Sequence, residues 1–188
     1  YNLVSMAKLL GHDLIALTDH NTAGNCRSAI QVGAQAGLVV VPGMELCTAE
    51  EIHVVCLFPD LDRAKAFSSY VHEHMLPFPN EPEVFGRQLF MDAADLVLGE
   101  ESLMLVGAST IPVDGLPALV AGYGGFCYPA HIDRPSFSIL ASLGAIEPYM
   151  GFSCAEVSRA GDPAALRAQH PALADMRILR SSDAHYLE

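Results

Sequence analysis

The strongest constraint on this chain is an alternation: a short apolar run, a polar residue at its end, then a stretch with helical spacing. Leu14 to Thr18 is one such run, and Asp19, His20 and Asn21 follow it. Thr22 to Ala36 then reads as a helix with Gly37 as its stop. Leu38 to Val41 is fully apolar and β-branched, which suits a strand buried on both faces, and it leads into Gly43-Met44-Glu45. Ile52 to Leu57 is predicted as the next strand and carries His53, and Leu61 to His74 returns to helix. Later come a helix over Pro117 to Tyr123, a strand over Phe126 to Ala130 ending at His131, and a short helix over Ser138 to Leu143. Strands over Ala155 to Ser158 and Ile178 to Ser181, with a helix over Pro163 to His170 between them, close the chain. Leu3, Met6, Ala7 and Leu10 open it at helical spacing before Gly11.

This pattern predicts an α/β fold of parallel βα units. In a barrel of such units the strand C-terminal ends share one face and carry the chemistry. Residues 75–112 break the pattern. They open with Pro77, Pro79 and Pro82, with short strands expected at Gln88 to Phe90 and Leu103 to Val106. They are expected to form an insertion or lid over the barrel mouth within a single domain spanning residues 1–188.

Composition narrows the function. Half of the 188 residues are hydrophobic and 17% are charged, which is globular. No apolar run approaches the roughly 20 residues of a membrane helix, so no membrane partner is expected. The five cysteines form no CxxC pair and read as buried free thiols of a cytoplasmic protein. The net charge of −12 repels nucleic-acid backbones, which makes nucleic acid an unexpected partner and favours a small phosphorylated substrate, captured through local cations. The oligomeric state is not legible.

The chemistry-bearing candidates are His20, Glu45, His53, His131, Asp183 and His185. Imidazoles and carboxylates together suit zinc, manganese or iron. Asp183 and His185 would point to one side of an extended strand. Asp19 would support His20 as a carboxylate partner. Arg134 and Arg159 follow predicted strand ends and are candidates to clamp phosphate. A lone histidine is more often a surface or hydrogen-bonded core residue, and His12, His72, His74 and His170 are read so. The joint placement of His20, His131 and His185 at strand ends separates them from that group. GxGxxG, GxxxxGK[ST] and GxSxG motifs are absent.

Several segments resemble the PHP (polymerase and histidinol phosphatase) family of phosphoesterases. Thr18-Asp19-His20-Asn21-Thr22 is similar to its TDHNT motif, and Pro42-Gly43-Met44-Glu45 to its PG-x-E segment. Ile52-His53-Val54-Val55 resembles its next His-bearing strand. Pro129-Ala130-His131 resembles its AH motif, and Ser182-Asp183-Ala184-His185 its closing SDAH motif. The resemblance implies a distorted (βα)7 barrel holding two or three divalent metals and hydrolysing a phosphate ester through activated water. Glu45 would bridge the first two metals and Asp183 complete the first. His53 and His131 would bind the second, and His20 and His185 the third. The family's opening H-x-H has no counterpart here, so the chain is expected to be a fragment that starts after that strand. A DNA-processing nuclease, a C–N hydrolase of amidohydrolase type and a non-catalytic module are the alternatives.

Overall fold

The structure is a computed structural model and describes residues 1–187. Helix α1 (Asn2–Leu9) precedes β1 (Leu14–Leu17), and α2 (Cys26–Ala36) follows. Gly37 closes α2 with φ 67°, a left-handed cap that glycine adopts without steric cost. Next come β2 (Val39–Cys47), β3 (His53–Leu57) and α3 (Leu61–Glu73), whose N-cap Asp60 accepts from the Arg63 backbone N–H. The central segment contains α4 (Pro82–Phe85), β4 (Leu89–Met91) and β5 (Val97–Glu100). Then follow α5 (Leu116–Gly122), β6 (Phe126–Pro129), α6 (Ile139–Leu143), β7 (Cys154–Glu156), α7 (Pro163–Gln169) and β8 (Arg177–Leu179).

The strands form three sheets among the described residues: β1-β2-β3-β6, β4-β5 and β7-β8. None closes into a barrel. The α/β class agrees with the sequence, but the uniformly parallel sheet does not. Only β1·β2 and β7·β8 are parallel, while β2·β3 and β3·β6 are antiparallel. The five residues between β2 and β3 are too few for a crossover helix, so β3 must turn back along β2.

Strand β2 is longer than its apolar run because it changes partner midway. Val39 to Pro42 pair with β1, and Gly43 to Cys47 pair with β3. Gly43 sits at the change. A Cβ there would stand 2.5 Å from the Cys56 carbonyl oxygen and 2.8 Å from the Leu57 side chain, so the two strands can approach only past glycine. Glu45, expected just past the end of its strand, is therefore held in mid-strand.

The core lies between the four-stranded sheet and its helices. Met44, Leu46, Val54 and Cys56 are fully covered and pack with Phe67 and Val71 of α3 and Val120 of α5. All five cysteines are buried and free. Burial pushes the Cys26 and Cys154 thiols up to about 11 and Cys47 up to about 12.

Residues 75–112 fold back on the chain. Their short strands lie at Leu89–Met91 and Val97–Glu100, so the second is six residues earlier than expected. The Asn25 side chain donates to Leu89 O and accepts from Met91 N, docking the hairpin on the start of α2. No described helix is long and apolar enough to cross a membrane.

Candidate metal centre

The site is assembled where β1, β2, β3 and β6 meet. Beyond β1 the chain stays beside β2: Glu45 N donates to Asp19 O, and Asn21 N donates to Glu45 O. His20 is thereby bridged to Glu45. Antiparallel pairing sets Cys47 opposite His53, so His53 lies diagonally across from Glu45 on the same face. This explains how a residue at the start of a strand reaches the end where the other strands finish. Ala130 N donates to His53 O and brings His131 alongside.

Three imidazoles converge on one buried carboxylate. His20 Nδ1 and His53 Nδ1 lie 3.2 and 3.4 Å from Glu45 Oε2, and His131 Nε2 lies 3.4 Å from Oε1. Ligand atoms of His20, Glu45 and His53 all fall within 4.8 Å of one another. Burial pushes the Glu45 carboxyl up, but hydrogen bonds from His131 and His53 and the electrostatic influence of His53 and His20 outweigh it and hold it well below the usual carboxylate range. Burial pulls His20 down, reinforced by His53 and His185 against the opposing pull of Glu45. A neutral imidazole keeps a lone pair for a metal. The buried Nδ1 atoms of His20 and His131 have no hydrogen-bond partner, although His20 Nδ1 lies near Glu45 in distance. Nitrogen atoms deprived of both water and a protein partner beside a carboxylate fit a divalent cation.

The second wall is formed by the segment after β8. Strand β8 ends at Leu179, and Asp183 has φ 46°, so Asp183 and His185 stand on a turn and not on the extended strand expected. They still face the cluster. The His185 ring centroid is 6.0 Å from that of His20, and Arg134 Nη2 lies 2.6 Å from Asp183 Oδ2. The resulting pocket of about 80 Å³ is lined by His20, Glu45, His53, His131, Arg134, Ser136, Phe137, Asp183 and His185. Phe137, which sequence reasoning missed, stacks on His53 at 4.8 Å and accepts the His53 N–H on its carbonyl oxygen. It has φ 54° and no motif marks it.

Two other candidates lie apart. The Asp19 carboxyl accepts from Asn25 and not from a histidine, and burial pushes it up. Arg159 is exposed and does not line the pocket. Nor does any residue of 75–112 line it. That segment instead reaches the back of the site through Asn21, whose side chain donates to Leu105 O and Gly107 O and accepts from Cys47 N.

No protein-family model and no curated protein matches the chain. Solved structures do. A protein from Bifidobacterium adolescentis ATCC 15703, taken to be a metal-dependent phosphoesterase, superposes with a TM-score of 0.63 at 18% identity, covering 98% of this chain and 81% of that one. The lesion-specific endonuclease EndoQ from Pyrococcus furiosus superposes with a TM-score of 0.68 at 15% identity over 100% of this chain and 44% of its own. Endonuclease Q bound to a 27-mer duplex with an abasic lesion at the active site gives 0.69 at 15% identity, again over 44% of that chain. This chain thus spans less than half of endonuclease Q. At these identities the likeness establishes a shared fold, and it agrees with the resemblance to PHP phosphoesterases. It also corrects one expectation. Net charge does not make nucleic acid an improbable partner, since a protein of this fold is seen with duplex DNA at its active site. Net charge sums over the whole surface, whereas a ligand meets one face, where bound cations reset the sign.

Proposed function

We propose that this chain is the metal-binding part of a hydrolase that cleaves a phosphate ester. The observation that supports the reading most is the convergence of His20, His53 and His131 on Glu45 in a pocket that also receives Asp183 and His185. Zinc, manganese or iron suits this donor set, with His20, Glu45, His53, His131, Asp183 and His185 as its holders. When bound, such ions supply Lewis acidity and bring the pKa of water to about 7.

The chain's own groups have separate tasks. Glu45 offers its two oxygens to two sides of the pocket and keeps its charge at neutral pH. His53 presents its nitrogen atoms from β3, and His20 presents its own from a backbone bridge to Glu45 of β2, which limits their movement. Arg134, now against Asp183, is within reach to hold phosphate oxygens through charge-assisted hydrogen bonds. Phe137 covers one face of His53 and excludes water from it.

The substrate is a phosphoester of one of two kinds. A small soluble phosphate is favoured by the small volume of the pocket, about 80 Å³. A phosphodiester in nucleic acid is favoured by the fold shared with endonuclease Q. Turnover of nucleoside monophosphates, single-stranded DNA and abasic duplex should be measured with manganese or zinc present. Activity on one class, abolished in His131→Ala and Asp183→Ala proteins that remain folded, is the expected result. Near-normal turnover in either variant, or cleavage of amides but no phosphoester, would overturn the proposal.

A further inference from the structure

Glu156 is the last residue of β7 and is 3% exposed. It does not line the pocket. A carboxylate in such a place is costly unless its oxygens are occupied. No ion pair occupies them among the described residues. Instead, Oε1 accepts the backbone N–H of His131 at 3.4 Å, and Oε2 accepts the hydroxyl of Ser181. The two donors lie 25 residues away on either side in sequence. One lies in the loop after β6, and the other lies in the segment after β8 that carries Asp183 and His185.

Both segments have backbones that need holding. His131 has φ 29° and Asp183 has φ 46°, conformations that cost a non-glycine residue of order 1–3 kcal/mol. The main chain at the end of β7 braces the same two neighbours: Ile132 N donates to Glu156 O, and the N–H of Val157, the residue after β7, donates to Leu179 O. The Glu156 side chain and the backbone of Glu156 and Val157 therefore join the two walls of the site.

We infer that Glu156 is a positioning residue that sets His131 and the Asp183–His185 turn relative to each other, one carboxylate oxygen holding each. It touches neither the pocket nor the candidate ligand atoms and acts only through the loops it grips. This inference rests on the reading of the pocket as a metal centre.

The test is manganese binding by titration calorimetry in Glu156→Ala, Glu156→Gln and Ser181→Ala proteins, beside amide NMR spectra of the metal-free forms. A glutamine accepts the His131 N–H and donates to the Ser181 oxygen, so it keeps the bridge without the charge. The expected result is manganese affinity about 10- to 100-fold weaker in Glu156→Ala. Glu156→Gln should be restored to within a few-fold, and Ser181→Ala should fall between. In the metal-free spectra, Glu156→Ala should shift the amides of both 131–134 and 181–185, whereas Ser181→Ala shifts the second set. Wild-type affinity in Glu156→Ala, or Glu156→Gln as weak as Glu156→Ala, would overturn the inference. Should Glu156→Ala not fold, the other two variants decide alone. Absence of manganese binding in the wild type would sink the metal-centre reading, while the NMR shifts still report whether Glu156 couples the loops.

Discussion

The two walls of the pocket are built differently. His20, Glu45, His53 and His131 stand on or beside strands of a four-stranded sheet, and the side chains of Glu45, His53 and His131 are at most one-tenth exposed. Asp183 and His185 stand on a turn after a three-residue strand, and the His185 side chain is 54% exposed. The first wall is held by the backbone ladder of β2, β3 and β6. The second is held by Arg134 on Asp183 and by Ser181 on Glu156. A site of this kind pairs a preorganised wall with an adjustable one. Rigidity sits where the charges are buried and mutual distances matter most.

The sharpest way to break this comparison is Glu45→Ala. It leaves three imidazoles without their shared acceptor. Metal content by elemental analysis should collapse, with affinity falling by more than the roughly 100-fold caused by losing an outer partner. Retention of metal would mean that the second wall, not the first, holds it.

A second experiment asks whether the walls unfold together. Cys26 packs behind the first wall and Cys154 lies in β7, and each thiol is raised to about 11. A raised folded pKa means that the unfolded chain ionises first. The stabilisation is fully present below the unfolded pKa near 9 and is lost as pH rises toward 11. Denaturant unfolding should therefore weaken by about 1.4 kcal/mol per pH unit per thiol in that window. Cys26→Ala and Cys154→Ala should each flatten the slope. If Cys154→Ala leaves it unchanged, β7–β8 opens separately from the four-stranded sheet.

Arg134→Ala frees Asp183 and removes a candidate phosphate ligand. A drop of roughly tenfold in kcat/KM is expected, the scale of one charge-assisted hydrogen bond. The effect should fall more on the second wall, so that Arg134→Ala perturbs the amides of 181–185 and spares those of 53–55. The smallest effect is expected for Arg159→Ala, an exposed position outside the pocket, with turnover within about twofold of wild type. A larger loss would place Arg159 against the substrate.

Legibility from sequence followed the same division. His20 and His131 were readable because each follows an apolar run of strand length, and the structure brings them together. Glu45 was identified but misplaced, since strand β2 continues through Pro42 and Gly43 by exchanging one partner strand for another. Pattern reading sees a proline and a glycine and ends the strand. Asp183 and His185 were grouped through an extended geometry that the turn at Asp183 does not have. Phe137 owes its role to a partner far away in the chain and carries no local signal for it.

The sequence alone determined which residues are polar at the ends of apolar runs, and with them the α/β class and the candidate donors. These are local properties, written in hydrophobic periodicity and residue chemistry. Only the tertiary structure decided that β3 and β6 run antiparallel to their neighbours in the sheet, that residues 75–112 dock behind the site and not across it, and that Glu156 holds both walls. Strand direction, docking and shared hydrogen bonds depend on which distant segments meet. That choice is made by the packing of the whole chain and leaves no mark in any single stretch of it.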